Sequence, residues 1–332
     1  MKQTRREFVR VLFAAGSGLV ASRMLAVPAS AKTGTDLLPA PARSLNFIVF
    51  GDWGREGQQD QMDVAREMGR VAARMEAQFI ISVGDNFYDD GVASPTDEQW
   101  HTSFEQVYSH RSLQVPWYVA LGNHDYHGDC DAQIAYSHGS SRWNMPSRYF
   151  MLSKPIDGAA TADFFFLDTT PMVKAHHGDA KATAKAFQED VPKQMAWFTE
   201  ALEKSTAPWK IVIGHHPIYS GGEHGDTPEL IETILPLLQK HKVQAYFNGH
   251  DHDLQHLMAG DINLIGSGAG SKVRQPHETG HTRFARGCPG FTTVSLRADK
   301  LLIGMIDSEG TTVYTTAIPR EAAAAVPDRA TA

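Results

Sequence analysis

Leu45-Asn46-Phe47-Ile48-Val49-Phe50-Gly51-Asp52-Trp53-Gly54 is the stretch that decides the fold. Its first six residues are almost wholly apolar, with β-branched and aromatic side chains, and read as a strand buried on both faces. Gly51 stops the strand and a carboxylate follows at once. The same pattern recurs. Phe79-Ile80-Ile81-Ser82-Val83 runs into Gly84-Asp85-Asn86-Phe87-Tyr88, and Trp117-Tyr118-Val119-Ala120-Leu121 into Gly122-Asn123-His124-Asp125. Trp209-Lys210-Ile211-Val212-Ile213 runs into Gly214-His215-His216-Pro217, and Ala245-Tyr246-Phe247 leads to Gly249-His250-Asp251-His252.

Between the first strands lies a helix from about Gln61 to Glu76, with Met62, Ala65, Met68, Ala72 and Met75 at helical spacing. A second helix is expected over Asp97 to Tyr108. Strands alternating with helices predict a parallel sheet. The middle reads differently: strands at Arg148–Leu152 and Asp163–Leu167 with no long helix between, then a polar surface loop, Thr169 to Asp190. Helices follow at Val191–Lys204, with Pro192 in the first turn, and at Thr227–Lys240. Ile262 to Thr316 reads as short strands and glycine turns. The expected fold is α/β: two mixed β-sheets packed as a sandwich flanked by helices. In such sheets, sites lie beyond the carboxyl ends of strands, where all five glycine-led motifs fall.

The 332 residues are 42% hydrophobic and 21% charged, an ordinary globular balance, and no mid-chain boundary or repeat is visible. A net charge of −7 disfavours nucleic-acid binding. Residues 1–31 read as a twin-arginine signal peptide. Arg5 and Arg6 precede an apolar run from Val11 to Val20, too short to span a membrane, and Ala29-Ser30-Ala31 is a small-residue cleavage site. That export route carries folded proteins, which suits one loaded with metal beforehand. Residues 32–44 read as a linker, 45–318 as one domain and 319–332 as a disordered tail. Cys130 and Cys288 could form a disulfide or remain thiols.

Carboxylate, imidazole, amide oxygen and phenolate are all metal ligands. Any one motif alone could be a turn or a helix cap. Five of them, each opening on Gly and most directly behind a strand, point to one cluster. The motifs contain no Cys, which excludes a zinc knuckle. Tyr88 is either a hard phenolate ligand favouring a trivalent ion or a core residue beside Phe87. Asp52, Asp85 and a Tyr88 phenolate bring −3 to a trivalent–divalent pair worth +5, so the site suits an anion. Two metals can clamp a phosphoryl displacement and lower the pKa of a bound water. His124 and His224 are available to protonate the leaving group.

From Asn46 to Ile318 the chain resembles the calcineurin-like metallophosphoesterases, and within them the small purple acid phosphatases of the tartrate-resistant mammalian type. The resemblance rests on the five motifs, on Glu223-His224-Gly225, and on Ala132–Tyr136 through Arg142-Trp143-Asn144. It implies that Asp52, Tyr88 and His252 hold Fe(III), that Asp85 bridges, and that Asn123, His215 and His250 hold a second divalent metal (Fe, Zn or Mn). His124 and His224 are implied to orient phosphate and assist the leaving group. The family's loop near the site has its counterpart in Thr169–Asp190, which differs in sequence.

The expected protein is a periplasmic or secreted monomer: a binuclear acid phosphatase acting on small phosphorylated substrates. Its partner in export is the twin-arginine machinery, and the mature chain has no stable membrane insertion. The rival readings are a metal-dependent phosphodiesterase on the same fold and a non-catalytic phosphate- or metal-binding surface protein.

Overall fold

The computed structural model describes residues 44–156, 160–179, 181–182 and 190–320. The expected signal peptide, most of the linker and the end of the tail lie outside these residues. Among them, fourteen strands form two seven-stranded mixed sheets. The first sheet has the order β14-β13-β12-β1-β2-β3-β4. Its strands are β1 (Leu45–Phe50), β2 (Phe79–Ser82), β3 (Trp117–Val119), β4 (Trp143–Asn144), β12 (Gly290–Leu296), β13 (Lys300–Asp307) and β14 (Thr312–Pro319). The second has the order β11-β9-β10-β8-β7-β6-β5. It holds β5 (Phe150–Pro155), β6 (Thr161–Phe166), β7 (Trp209–Ile213), β8 (Ala245–Asn248), β9 (Leu254–Ala259), β10 (Ile262–Ser267) and β11 (Thr282–Arg286).

The strand alternation sets the layers. Along β1, Phe47 and Val49 face inward, packing with Phe79 and Ile81 of the same sheet and with Phe164, Ile211 and Phe247 of the other. Ile48 and Phe50 face outward onto the helix Gln61–Met75 (α1), through Val64, Met68 and Val71, and Cys130 and Ala132 of α2 (Cys130–Ser137) belong to the same cluster. Beyond the second sheet, Phe165, Val212 and Tyr246 pack on Phe198 and Leu202 of α3 (Val191–Lys204). Leu230 and Leu238, from the short helices α4 (Pro228–Thr233) and α5 (Leu235–Lys240), join that outer cluster. Helix, sheet, sheet, helix is the expected four-layer arrangement.

Where the sequence reading misses, local chemistry explains the difference. The expected helix Thr227–Lys240 is two helices meeting at Ile234. Pro236 has no N–H to continue the ladder and sits in the first turn of the second. Only Trp100–Glu105 of the expected Asp97–Tyr108 helix is helical, as a widened π-type turn. Trp100 there stacks on Tyr136 at 3.6 Å between ring centroids, so packing of the large rings outweighs regular helix geometry. The Thr169–Asp190 segment is not wholly a surface loop: Thr169 to Met172 are buried. Both cysteines are free thiols.

Candidate metal centre

The parallel strands β1, β2 and β3 of one sheet and β7 and β8 of the other all end at one rim. Each motif follows one of these strand ends. Three of the turns need a backbone that L-residues seldom adopt: Asp52, Asp85 and His250 have φ of 61°, 49° and 70°. The leading glycines make room for the neighbouring motif. A Cβ on Gly122 would lie 2.2 Å from Asp85 Oδ1, and one on Gly249 would lie 2.3 Å from Asp52 Oδ2. The motifs therefore abut, and a side chain at either position would push a carboxylate aside.

Seven sequence-expected donors come together in two overlapping sets. In the first, Tyr88 Oη lies 3.1 Å from Asp52 Oδ1, 2.9 Å from Asp85 Oδ2 and 3.0 Å from His252 Nε2. In the second, His215 Nε2 is 3.4 Å from Asp85 Oδ1, 3.2 Å from Asn123 Oδ1 and 3.3 Å from His250 Nδ1. Asp85 belongs to both. The side chains of Phe87 and Tyr88 point different ways. Phe87 is the core residue, 4.7 Å from Trp100 and 5.5 Å from Trp53. Tyr88 turns its hydroxyl to the carboxylates and its ring to His124, with the Arg55 guanidinium 3.7 Å from the ring centroid.

The donor chemistry fits two cations. Asp52 and Asp85 are fully buried carboxylates, which are costly unless compensated by positive charge. His215 Nδ1 lies 2.9 Å from the Val83 carbonyl, which can only accept. In the neutral ring the hydrogen is thus on Nδ1, which would leave the Nε2 lone pair for an ion, as a ligating imidazole must. Burial would raise the Asp85 carboxyl, but His215, His124 and His250 outweigh it and hold it well below the usual range. Burial opposes the charge on His215, yet Asp85 and Asp52 lift it to about 9. Burial, then Asp52 and Asp85, push the Tyr88 phenol well up. Without cations, then, Tyr88 stays protonated and His215 charged. Cations would displace both protons.

The flanking histidines sit at the rim. His124 donates its backbone N–H to Asp85 Oδ1 at 2.8 Å, and its ring lies 4.4 Å from that of Tyr88. His224 stacks on His250 at 4.2 Å, with its backbone N–H held by Asp251 Oδ1 at 2.9 Å.

Three further residues escaped the sequence reading. His176, from the supposed surface loop, has Nε2 2.8 Å from His216 Nε2, and its ring lies 6.0 Å from that of His250. His176, His216 and His250 could together face one ion. Burial, then His215, lowers His176 to about 4. The His176-His177 pair was a visible signal, masked by the polar residues around it. Arg55 and Arg274 had none, since single arginines in glycine-rich turns are common.

Residues 45–254 match the family model of the calcineurin-like phosphoesterases. Purple acid phosphatase 4 of Arabidopsis thaliana is 38% identical over 83% of this chain and 84% of its own length. Tartrate-resistant acid phosphatase type 5 of Rattus norvegicus is 37% identical over 85% of this chain and 92% of its own. Among solved structures, "GAP50 the anchor in the inner membrane complex of Plasmodium" is similar with a TM-score of 0.75 and 26% identity, over 84% of this chain and 90% of that one. A purple acid phosphatase from yellow lupin seeds shares the fold, with a TM-score of 0.63 at 16% identity over 85% of this chain and 55% of that one.

Proposed function

Because the chain belongs to the calcineurin-like phosphoesterases, and within them to the purple acid phosphatases, we propose that its rim cluster is a binuclear acid phosphatase site for phosphate monoesters. The observation that carries this reading is Tyr88 Oη, within 3.1 Å of two buried carboxylates and an imidazole nitrogen. Asp52, Tyr88 and His252 would hold Fe(III), a hard ion suited to phenolate and carboxylate. Asn123, His215 and His250 would hold a divalent iron, zinc or manganese, and Asp85 would serve both. When bound, two such ions draw in the phosphate dianion, make water a better nucleophile and offset the charge of the transition state.

The remaining roles fall to the chain's own groups. His124 and His224 flank the cluster and would orient the phosphate and assist the departing alcohol. The backbone bonds from His124 to Asp85 and from His224 to Asp251 fix where each ring begins. Substrates are small phosphorylated molecules. We place the domain at residues 45–318. The twin arginine Arg5-Arg6 would direct a folded, metal-loaded monomer to the periplasm or beyond. No described helix is long and apolar enough to cross a membrane.

The test is turnover by purified, metal-quantified protein of an aryl phosphate monoester against the matching diester. Preference for the monoester at acid pH, with two metals per chain and one of them ferric, is expected. Preference for the diester with only divalent metals would support the rival phosphodiesterase, and metal without turnover would support a binding protein.

A further inference from the structure

One cation meets the donor cluster through the face of a ring. The Arg55 guanidinium carbon lies 3.7 Å from the centroid of the Tyr88 ring, well within the range of an attractive cation–π contact. Two bonds hold it there. Arg55 Nε donates to Ser271 Oγ at 3.1 Å, and Nη1 donates to Asp89 Oδ1 at 3.2 Å. Ser271 is itself buried and donates to the Asp52 backbone carbonyl at 2.6 Å. The Arg55 backbone N–H is fixed as well, 2.9 Å from Gln61 Oε1. The guanidinium is therefore tied to three of the turns that carry or border the donors. Asp89, the carboxylate paired with it, is 72% exposed, against 17% for Arg55. Water screens that anion far more than it screens the cation, so the ring feels a net positive charge.

Resting on the binuclear phosphatase reading above, we propose that Arg55 is a positioning residue that tunes the metal through Tyr88: it draws electron density from the phenolate, so that a ferric ion held there is the stronger Lewis acid. A positive charge over an aromatic ring lowers the energy of its π electrons. The charge sits over the centre of the ring, and so acts more on the donor ring than on anything held at its oxygen. Two consequences follow with definite sign. Moving a ring electron to the metal costs more, so the coloured band lies at shorter wavelength than it would without Arg55. Donation to the ferric state is weakened, so the ferrous state is easier to reach. Arg55 makes and breaks no bond. A guanidinium that only packed would leave both the colour and the redox balance where an uncharged side chain of similar length leaves them.

The experiment uses the full chain loaded with iron and zinc, so that one ion is redox-active, with both metals measured. R55M keeps much of the stem's packing and removes the charge; R55K keeps a charge that can also face the ring. R55M should move the absorption maximum to longer wavelength at equal iron. At an electrode potential that holds wild-type iron half reduced, each ferric ion taking one electron from the electrode, the ferrous-to-ferric ratio of R55M should be lower by about 3- to 30-fold. R55K should place its band nearer to wild type than to R55M and recover most of the ratio. A band and ratio unmoved in R55M, a shift to shorter wavelength, or an R55K that matches R55M would each overturn the proposal. Loss of iron from R55M would overturn it too, by making Arg55 a brace for the donors. All of these leave the phosphatase reading in place. Iron-loaded wild type with no visible band would instead remove the ferric phenolate, and with it the reading on which the proposal rests.

Discussion

Tyr88→Phe deletes one oxygen and keeps a ring that is only 7% exposed. The hydroxyl carries a single hydrogen, so it can donate to Asp52 Oδ1 or to Asp85 Oδ2 but not to both at once. In metal-free protein the change removes one hydrogen bond to a buried carboxylate, a loss of about 1.5–3 kcal/mol. That should lower the metal-free melting temperature by roughly 5 °C in a domain of this size. The ring's packing is spared, so the variant should fold. In the loaded protein the effect is different in kind. A phenolate on Fe(III) gives a charge-transfer band, so wild type should be visibly coloured and the variant colourless at equal iron. Loss of a hard anionic donor should also shift the iron toward the ferrous state. The band needs the iron, so chelation should abolish it, and burial with the two carboxylates keeps the freed phenol protonated well above its ordinary pKa. Absorption spectra of both proteins, with iron measured, decide the matter. Iron-loaded wild type without the band, or a variant retaining it, would remove Tyr88 from the cluster and favour an all-divalent centre.

Thr169→Val should cost about 3 kcal/mol in urea unfolding, because Thr169 Oγ1 bonds the backbone N–H groups of His215 and His216 and the ring of His216; Thr169→Ser should recover most of it. Gly122→Ala should yield protein that binds less than two metals per chain by elemental analysis, since the new Cβ displaces the Asp85 carboxylate. Changing Arg5 and Arg6 together to Lys should hold the protein in the cytoplasm by cell fractionation; normal export would remove the twin-arginine assignment. Burial raises the Cys288 thiol to about 11 and pushes the Cys130 thiol well above its ordinary value, so both should alkylate slowly, half-buried Cys288 first, and mass spectrometry of oxidised protein should find no bridge between them.

Much of this site could be read before any coordinates. The donors are short-range features: a glycine, then a ligand, just past a strand whose side chains declare it. β1, β2, β7 and α3 fall within a residue or so of where periodicity puts them. The remainder depends on contacts far apart in sequence. His176 comes near the cluster through contacts distant in sequence: its ring meets His216, 40 residues on, and Thr169 bonds His216 across 47 residues. Arg274 reaches His224 across 50 residues. Nothing in the local sequence of either encodes its partner. The Trp100 turn misleads because its helical spacing is real, while its stacking on Tyr136 fixes a different backbone.

The donor sets draw from both layers of the sandwich. Asp52, Asp85, Tyr88 and Asn123 follow strands of one sheet; His215, His250 and His252 follow strands of the other. Any slip of one sheet over the other would have to pull imidazole away from carboxylate. A filled centre would thus act as a rivet through the open end of the sandwich, adding stability by mass action in proportion to its metal affinity. The helices on the outer faces could then breathe without disturbing the chemistry, while the rim between the sheets would become the last part of the molecule to come apart.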